Sequence, residues 1–217
     1  MRYAAIGDAA IMIFLFTEYD KISDEILKEL ISKLPDARRR QAVRFRFKNG
    51  KISCAAAYLS FLYGFRNIYK QNGLPDFSAE KNGKPYLDAY PSIYFNISHC
   101  NNAVCCIFGA SPVGVDIQEV RSFNMRSAMK VCSEAEIERI NNSAEPDLEF
   151  CRIWTVKEAL SKLSGDGIFR DMKTLSAANA NLMTSFLEPD IYLTAASYSP
   201  DADFSVHRLG LNDLMNL

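Results

Sequence analysis

Only two histidines occur among the chain's 217 residues, and none of its six cysteines forms a C-x-x-C pair. A zinc site built on Cys and His spacing is therefore disfavoured. Neither G-x-x-x-x-G-K-[ST] nor G-x-G-x-x-G occurs, so P-loop and Rossmann phosphate chemistry are not indicated. A dominant charge is missing as well: the net charge is −1, which gives no sign of a nucleic-acid binder. The apolar part of the opening "MRYAAIGDAAIMIFLFTEYD" is short and interrupted by Asp8. It reads as a buried strand, not a signal peptide or membrane span, and a reduced cytoplasmic setting is the expectation.

What is present is enough for a real core. Hydrophobic residues make up 48% of the chain, and the length fits one ordinary domain or two small ones. A buried strand is expected over 10–17. A helix over 23–34 follows, with Ser23 as its N-cap and Pro35 as its stop. A second helix starts at Asp36, and Asn49-Gly50 is expected to break the chain before a buried helix over 51–65. "EKNGKPYL" (80–87) reads as turn chemistry, "SIYFNIS" (92–98) as a strand running into a polar loop. Two strands around "GASP", short helices, a long helix over 147–165 and two alternating strands (190–199 and 203–209) complete the reading. Cys105 and Cys106, adjacent in an apolar run, look like small core residues. The class is α+β, because strands and helices do not alternate in strict βαβ order. The two halves, residues 1–110 and 111–217, offer similar element orders and read as two lobes.

Polar chemistry concentrates in four places. "ARRRQAVRFRFKNGK" (37–51) holds seven Lys or Arg and no acid, either a solvated face or an anion-binding wall. In "VGVDIQE" (113–119), alternation puts Val113, Val115 and Ile117 on one face and Gly114, Asp116 and Gln118 on the other. Two oxygen donors two residues apart suit a hard cation such as Mg²⁺; a plain polar strand face fits the same pattern. Ser98 and His99 stand at a strand end, where both could donate to a phosphate or serve structure alone. In "WTVKEALSKLSG" (154–165), Glu158 and Lys162 share one helix face. Taken together, these residues suit a divalent cation and a polyanion such as a pyrophosphate.

In chain order, "NGKPYL", "FNISH", "GVDIQ" and "WTVKEALSK" resemble the 4′-phosphopantetheinyl transferases of the surfactin-synthetase-activating type. That family has a G-K-P turn, N-x-S-H at a strand end, a G-x-D-x-E strand and W-x-x-K-E-x-x-x-K on a helix. The resemblance spans about residues 34–167. It implies two similar α/β lobes related by pseudo-twofold symmetry, with the active site between them. It further implies Mg²⁺-dependent transfer of the 4′-phosphopantetheine arm of coenzyme A to a serine of an apo acyl, peptidyl or aryl carrier protein, releasing adenosine 3′,5′-bisphosphate. Asp116, Gln118 and Glu158 then correspond to the metal ligands, Gln118 standing where most members have an acid. Glu158 and Lys162 correspond to catalytic residues. Arg38, Lys84, Asn96, Ser98, His99 and Lys157 correspond to coenzyme A contacts, with a salt bridge as the other role open to Lys157. The segment 121–131, with Phe123, Met125, Met129, Arg121 and Arg126, is expected to receive the carrier, or to be ordinary core. The remaining expectations are a monomer with no nucleic-acid or membrane partner. A Mg²⁺-dependent nucleotide pyrophosphate hydrolase and a catalytically weak coenzyme A or carrier binder are the alternatives.

Overall fold

In the first strand, β1 (Ala10–Phe16), one face carries Ile11, Ile13 and Leu15 and the other carries Phe14 and Phe16, all buried. A strand buried on both faces must be covered on both sides. The computed structural model, which describes residues 7, 9–165 and 171–217, shows what covers it. Helices α1 (Asp24–Ser32), α2 (Asp36–Arg44) and α3 (Lys48–Tyr69) follow. The α3 helix lies against the Phe14 and Phe16 face, where Phe61, Phe95 and Phe108 pack as a cluster of tilted rings. Such ring pairs add about 0.5–1.5 kcal/mol each beyond the area they bury.

After a two-residue ladder of β2 (Ser78–Ala79) and β3 (Pro85–Tyr86), strands β4 (Tyr94–His99) and β5 (Val104–Gly109) return to β1. The second half begins with β6 (Val113–Glu119), then α4 (Met125–Val131), α5 (Glu134–Asn141) and α6 (Pro146–Ser164). It continues with β7 (Asn181–Leu187), β8 (Ile191–Ser197), β9 (Asp203–Leu209) and α7 (Leu211–Met215). One sheet has the order β4-β5-β1-β9 and the other β6-β8-β7. Ile13, Leu15, Cys105 and Ile107 of the first face Val113, Val115, Ile117 and Leu193 of the second in one core. The layers are thus α3, sheet, sheet and α6.

The observed fold is α+β, as expected. Ser23 accepts from the Ile26 amide as the N-cap of α1, and Cys105 and Cys106 are fully buried. The structure departs from the sequence pattern at three points. Asn49-Gly50 does not break the chain; both lie in the first turn of α3, and the break falls at Phe45 to Phe47. The Phe45 ring folds back over Gly50, where a Cβ would come within 2.8 Å of it. Strands β8 and β9 do not pair with each other: β8 joins β6 and β7, while β9 runs parallel to β1 in the other sheet. Strand β7 has no counterpart among the expected elements, because its half-exposed residues lack clear alternation. Asp166 and Gly167, which close the helix motif in the sequence, lie outside the described residues. Among the described residues, no helix is long and apolar enough to cross a membrane.

Candidate active site

Strand β6 pairs with β8 along one edge only, and its other edge faces β4. Unpaired backbone amides buried there would be costly. The second and fourth residues of "FNIS" supply the missing partners. The Val115 amide donates to Asn96 Oδ1 at 3.3 Å, and the Ile117 amide donates to Ser98 Oγ at 3.3 Å. Asn96 and Ser98 share a face of β4, and Val115 and Ile117 share an edge of β6, so the two periods match. The opposite face of β6 meets α6 at Gly114. A Cβ on Gly114 would come within 2.1 Å of the Ala159 carbonyl oxygen and 2.5 Å of the Leu163 amide nitrogen. Only glycine permits that approach.

The close approach sets Asp116 beside Lys162. Asp116 is 2% exposed, and its Oδ1 accepts from Lys162 Nζ at 2.6 Å and from Ser98 Oγ at 2.8 Å. Lys162 Nζ also donates to Ser98 Oγ at 2.9 Å. The second carboxylate oxygen, Asp116 Oδ2, is buried with no hydrogen-bond partner among the described residues. A buried, unpaired anionic oxygen calls for an explanation, and a cation is the simplest.

Glu158 precedes Lys162 by one turn and lines a cavity of about 490 Å³ with Lys162, Asn96 and Lys84. Burial pushes the Glu158 carboxyl above the ordinary range; the Asp116 charge adds to this and Lys162 opposes it. Lys84 closes the far end of the wall. Its ammonium donates to the Lys162 and Leu163 carbonyl oxygens at 2.7 and 3.1 Å, capping the C-terminus of α6. Burial lowers the Lys84 pKa, opposed by Glu80. Gly165 ends the helix in the left-handed conformation with φ of 74°.

The structure thus gathers Asp116, Glu158, Lys162, Lys84, Asn96 and Ser98. The others stand apart. Gln118 lines a second cavity, of about 340 Å³, with Cys151, Trp154 and Arg121. His99 is exposed at the end of β4. Arg38 lies over the Phe77 ring, 4.6 Å from its centre, and donates to Gln41. Neither lines the Glu158 cavity. Lys157 points into the protein: it is 2% exposed, pairs with Glu136 at 2.9 Å and donates to the Met172 carbonyl at 2.7 Å. Of the two roles open to it, the geometry is that of the salt bridge. Sequence reasoning missed Glu136, although Ser133 and Glu136 carry a capping-box signature that marks it as an ordered side chain. Glu119 accepts from Asn101 and Asn102 at 3.0 and 2.7 Å and so fastens the β4–β5 loop to β6.

Among the described residues, no three His, Cys, Asp or Glu side chains cluster to hold a metal. Two carboxylates, one of them with an orphaned oxygen, nevertheless suit a hard cation that retains several waters. The family model of the 4′-phosphopantetheinyl transferase superfamily matches residues 112–207, which include Asp116, Gln118 and Glu158. Over those residues the chain is similar to that superfamily. It is 29% identical to 4′-phosphopantetheinyl transferase psf-1 of Bacillus pumilus over 164 residues, 73% of this chain and 69% of the relative. It is likewise 29% identical to 4′-phosphopantetheinyl transferase Sfp of Bacillus subtilis (strain 168) over 102 residues; the match spans 46% of each chain, about half the length of that relative. A crystal structure of Thermotoga maritima holo-[acyl-carrier-protein] synthase is 16% identical with a TM-score of 0.34, covering 39% of this chain and 61% of that one.

Proposed function

We propose that the protein is an enzyme that transfers the 4′-phosphopantetheine arm of coenzyme A to a serine of an apo carrier protein, releasing adenosine 3′,5′-bisphosphate. One observation carries this reading: Asp116, with one oxygen saturated and one unpartnered, is buried against Lys162, which lines a cavity together with Glu158. Asp116 and Glu158 would hold Mg²⁺, and Gln118, set in the neighbouring cavity, would reach it through water. The ion supplies charge neutralisation on the diphosphate. Glu158, its affinity for a proton raised by burial, accepts the proton of the carrier serine hydroxyl. Lys162 stabilises the departing phosphate oxygen.

The two halves of the chain each run strand, two short helices, long helix and antiparallel strands, which supports a reading as two lobes, 1–110 and 111–217, related by pseudo-twofold symmetry. Strand β9 crosses from the second half to the sheet of the first. Coenzyme A would lie along Lys84 and Asn96, with Arg38 and His99 reaching its outer phosphate. The carrier would dock at α4, where Met125 and Met129 are 40% and 58% exposed beside the exposed Arg121 and Arg126. A monomer in the cytoplasm, where thiols stay reduced, completes the reading. The test is incubation with coenzyme A, Mg²⁺ and an apo carrier. A mass gain of one phosphopantetheine arm on the carrier is expected. Coenzyme A turnover by water alone would instead favour the hydrolase, and binding without turnover the catalytically weak relative.

A further inference from the structure

We infer that Ser98 is a positioning residue for the Asp116 carboxylate and takes no part in holding phosphate. The inference rests on the transferase reading above. A hydroxyl offers one donor and two acceptor positions. Ser98 uses all three within the protein. Its proton goes to Asp116 Oδ1 at 2.8 Å, and its lone pairs receive the Ile117 amide at 3.3 Å and Lys162 Nζ at 2.9 Å. The side chain is 7% exposed. Nothing remains for a ligand to bind.

What the contacts achieve is orientation. Two donors converge on Asp116 Oδ1, so the carboxylate cannot turn about its last bond without losing both. Oδ2 is therefore the oxygen left over from this network, buried and without a partner among the described residues. The Ile117 amide, next in sequence to Asp116, is held by the same hydroxyl, so strand and side chain are fixed together. Asn96 acts differently. It binds the Val115 amide and sets the register of β6 on β4 without touching the carboxylate. Partners that orient a metal ligand typically matter about 10–100-fold in metal affinity when removed.

The test compares Ser98→Ala and Ser98→Thr with the wild-type chain. Mn²⁺ binding is read by electron paramagnetic resonance without coenzyme A, and coenzyme A binding by calorimetry in chelator. For Ser98→Ala, Mn²⁺ affinity should fall about tenfold or more. Coenzyme A affinity should stay within about twofold, because the phosphates never touched this hydroxyl. Ser98→Thr, which keeps the hydroxyl on a strand, should restore Mn²⁺ affinity. The inference is overturned if Ser98→Ala loses coenzyme A affinity while Mn²⁺ affinity holds, or if Ala and Thr behave alike. Should Ser98→Ala fail to fold, Ser98→Cys replaces it: a weak donor should leave an intermediate Mn²⁺ affinity, and wild-type affinity would overturn the inference. Wild-type protein that binds no Mn²⁺ overturns the inference together with its premise. Wild-type protein that binds Mn²⁺ but transfers nothing to a carrier overturns the transferase reading alone.

Discussion

At the scale of single residues, Glu158 carries the most chemical information. Its carboxyl is held above the ordinary range by burial first and by Asp116 second. A carboxyl of this kind binds its proton more readily in the folded state than in the unfolded one. Its contribution to stability is complete below the unfolded pKa and is lost as pH rises through the folded value. In metal-free protein, Glu158→Gln should therefore melt higher than wild type at neutral pH, and the two should converge below about pH 4. Differential scanning calorimetry across that range checks it; identical profiles would remove the burial penalty. With Mg²⁺ and carrier, the same variant should lose about 10²-fold or more in turnover while retaining coenzyme A binding. The pairing of Glu158 with Lys162 was legible from their spacing alone, since α6 runs unbroken through both. The Lys157 partner was not, because Glu136 comes from another helix, and its capping-box signature says that it is ordered but not which side chain it meets.

At the scale of elements, the site depends on two close approaches, β6 to α6 and β6 to β4. Gly114→Ala would press a methyl group into the backbone of α6, which cannot rotate away as a side chain would. A cost of about 1–3 kcal/mol is expected, with α6 displaced from Asp116. Each kcal/mol lowers the melting temperature by about 2–4 °C in a chain of this size. A melt unchanged from wild type would mean that the helix gives way freely. The alternation of "VGVDIQE" predicted the inward valines and the shared face of Asp116 and Gln118, and the core contains Val113, Val115 and Ile117 as expected. Alternation could not reveal that the next polar pair on β4 seals the free edge of β6. That contact joins strands in different sheets, and strand periodicity describes only one strand at a time. The same limit explains why Gln118 and Glu158 face different cavities although the sequence groups them.

At the scale of the whole molecule, the partner surface and the chain's ends come into play. Arg126→Glu on α4 should raise the KM for an acidic carrier several-fold and leave that for coenzyme A unchanged, because rim charges act on encounter. Steady-state kinetics with each substrate varied in turn would show whether α4 meets the carrier. A chain ending at residue 202 should expose the β1 edge and become sensitive to limited proteolysis in its first half, although every missing residue belongs to the second. Protection equal to that of the full chain would show that β9 is dispensable. The pairing of β1 with β9 also bears on biosynthesis. Strand β1 is synthesised well before β9, the strand that covers its edge, so β1 must wait with a bare edge until translation has passed Leu209. A pause or a premature stop in that interval would leave a sticky strand in the cell, and chaperone dependence of the nascent chain is its natural consequence.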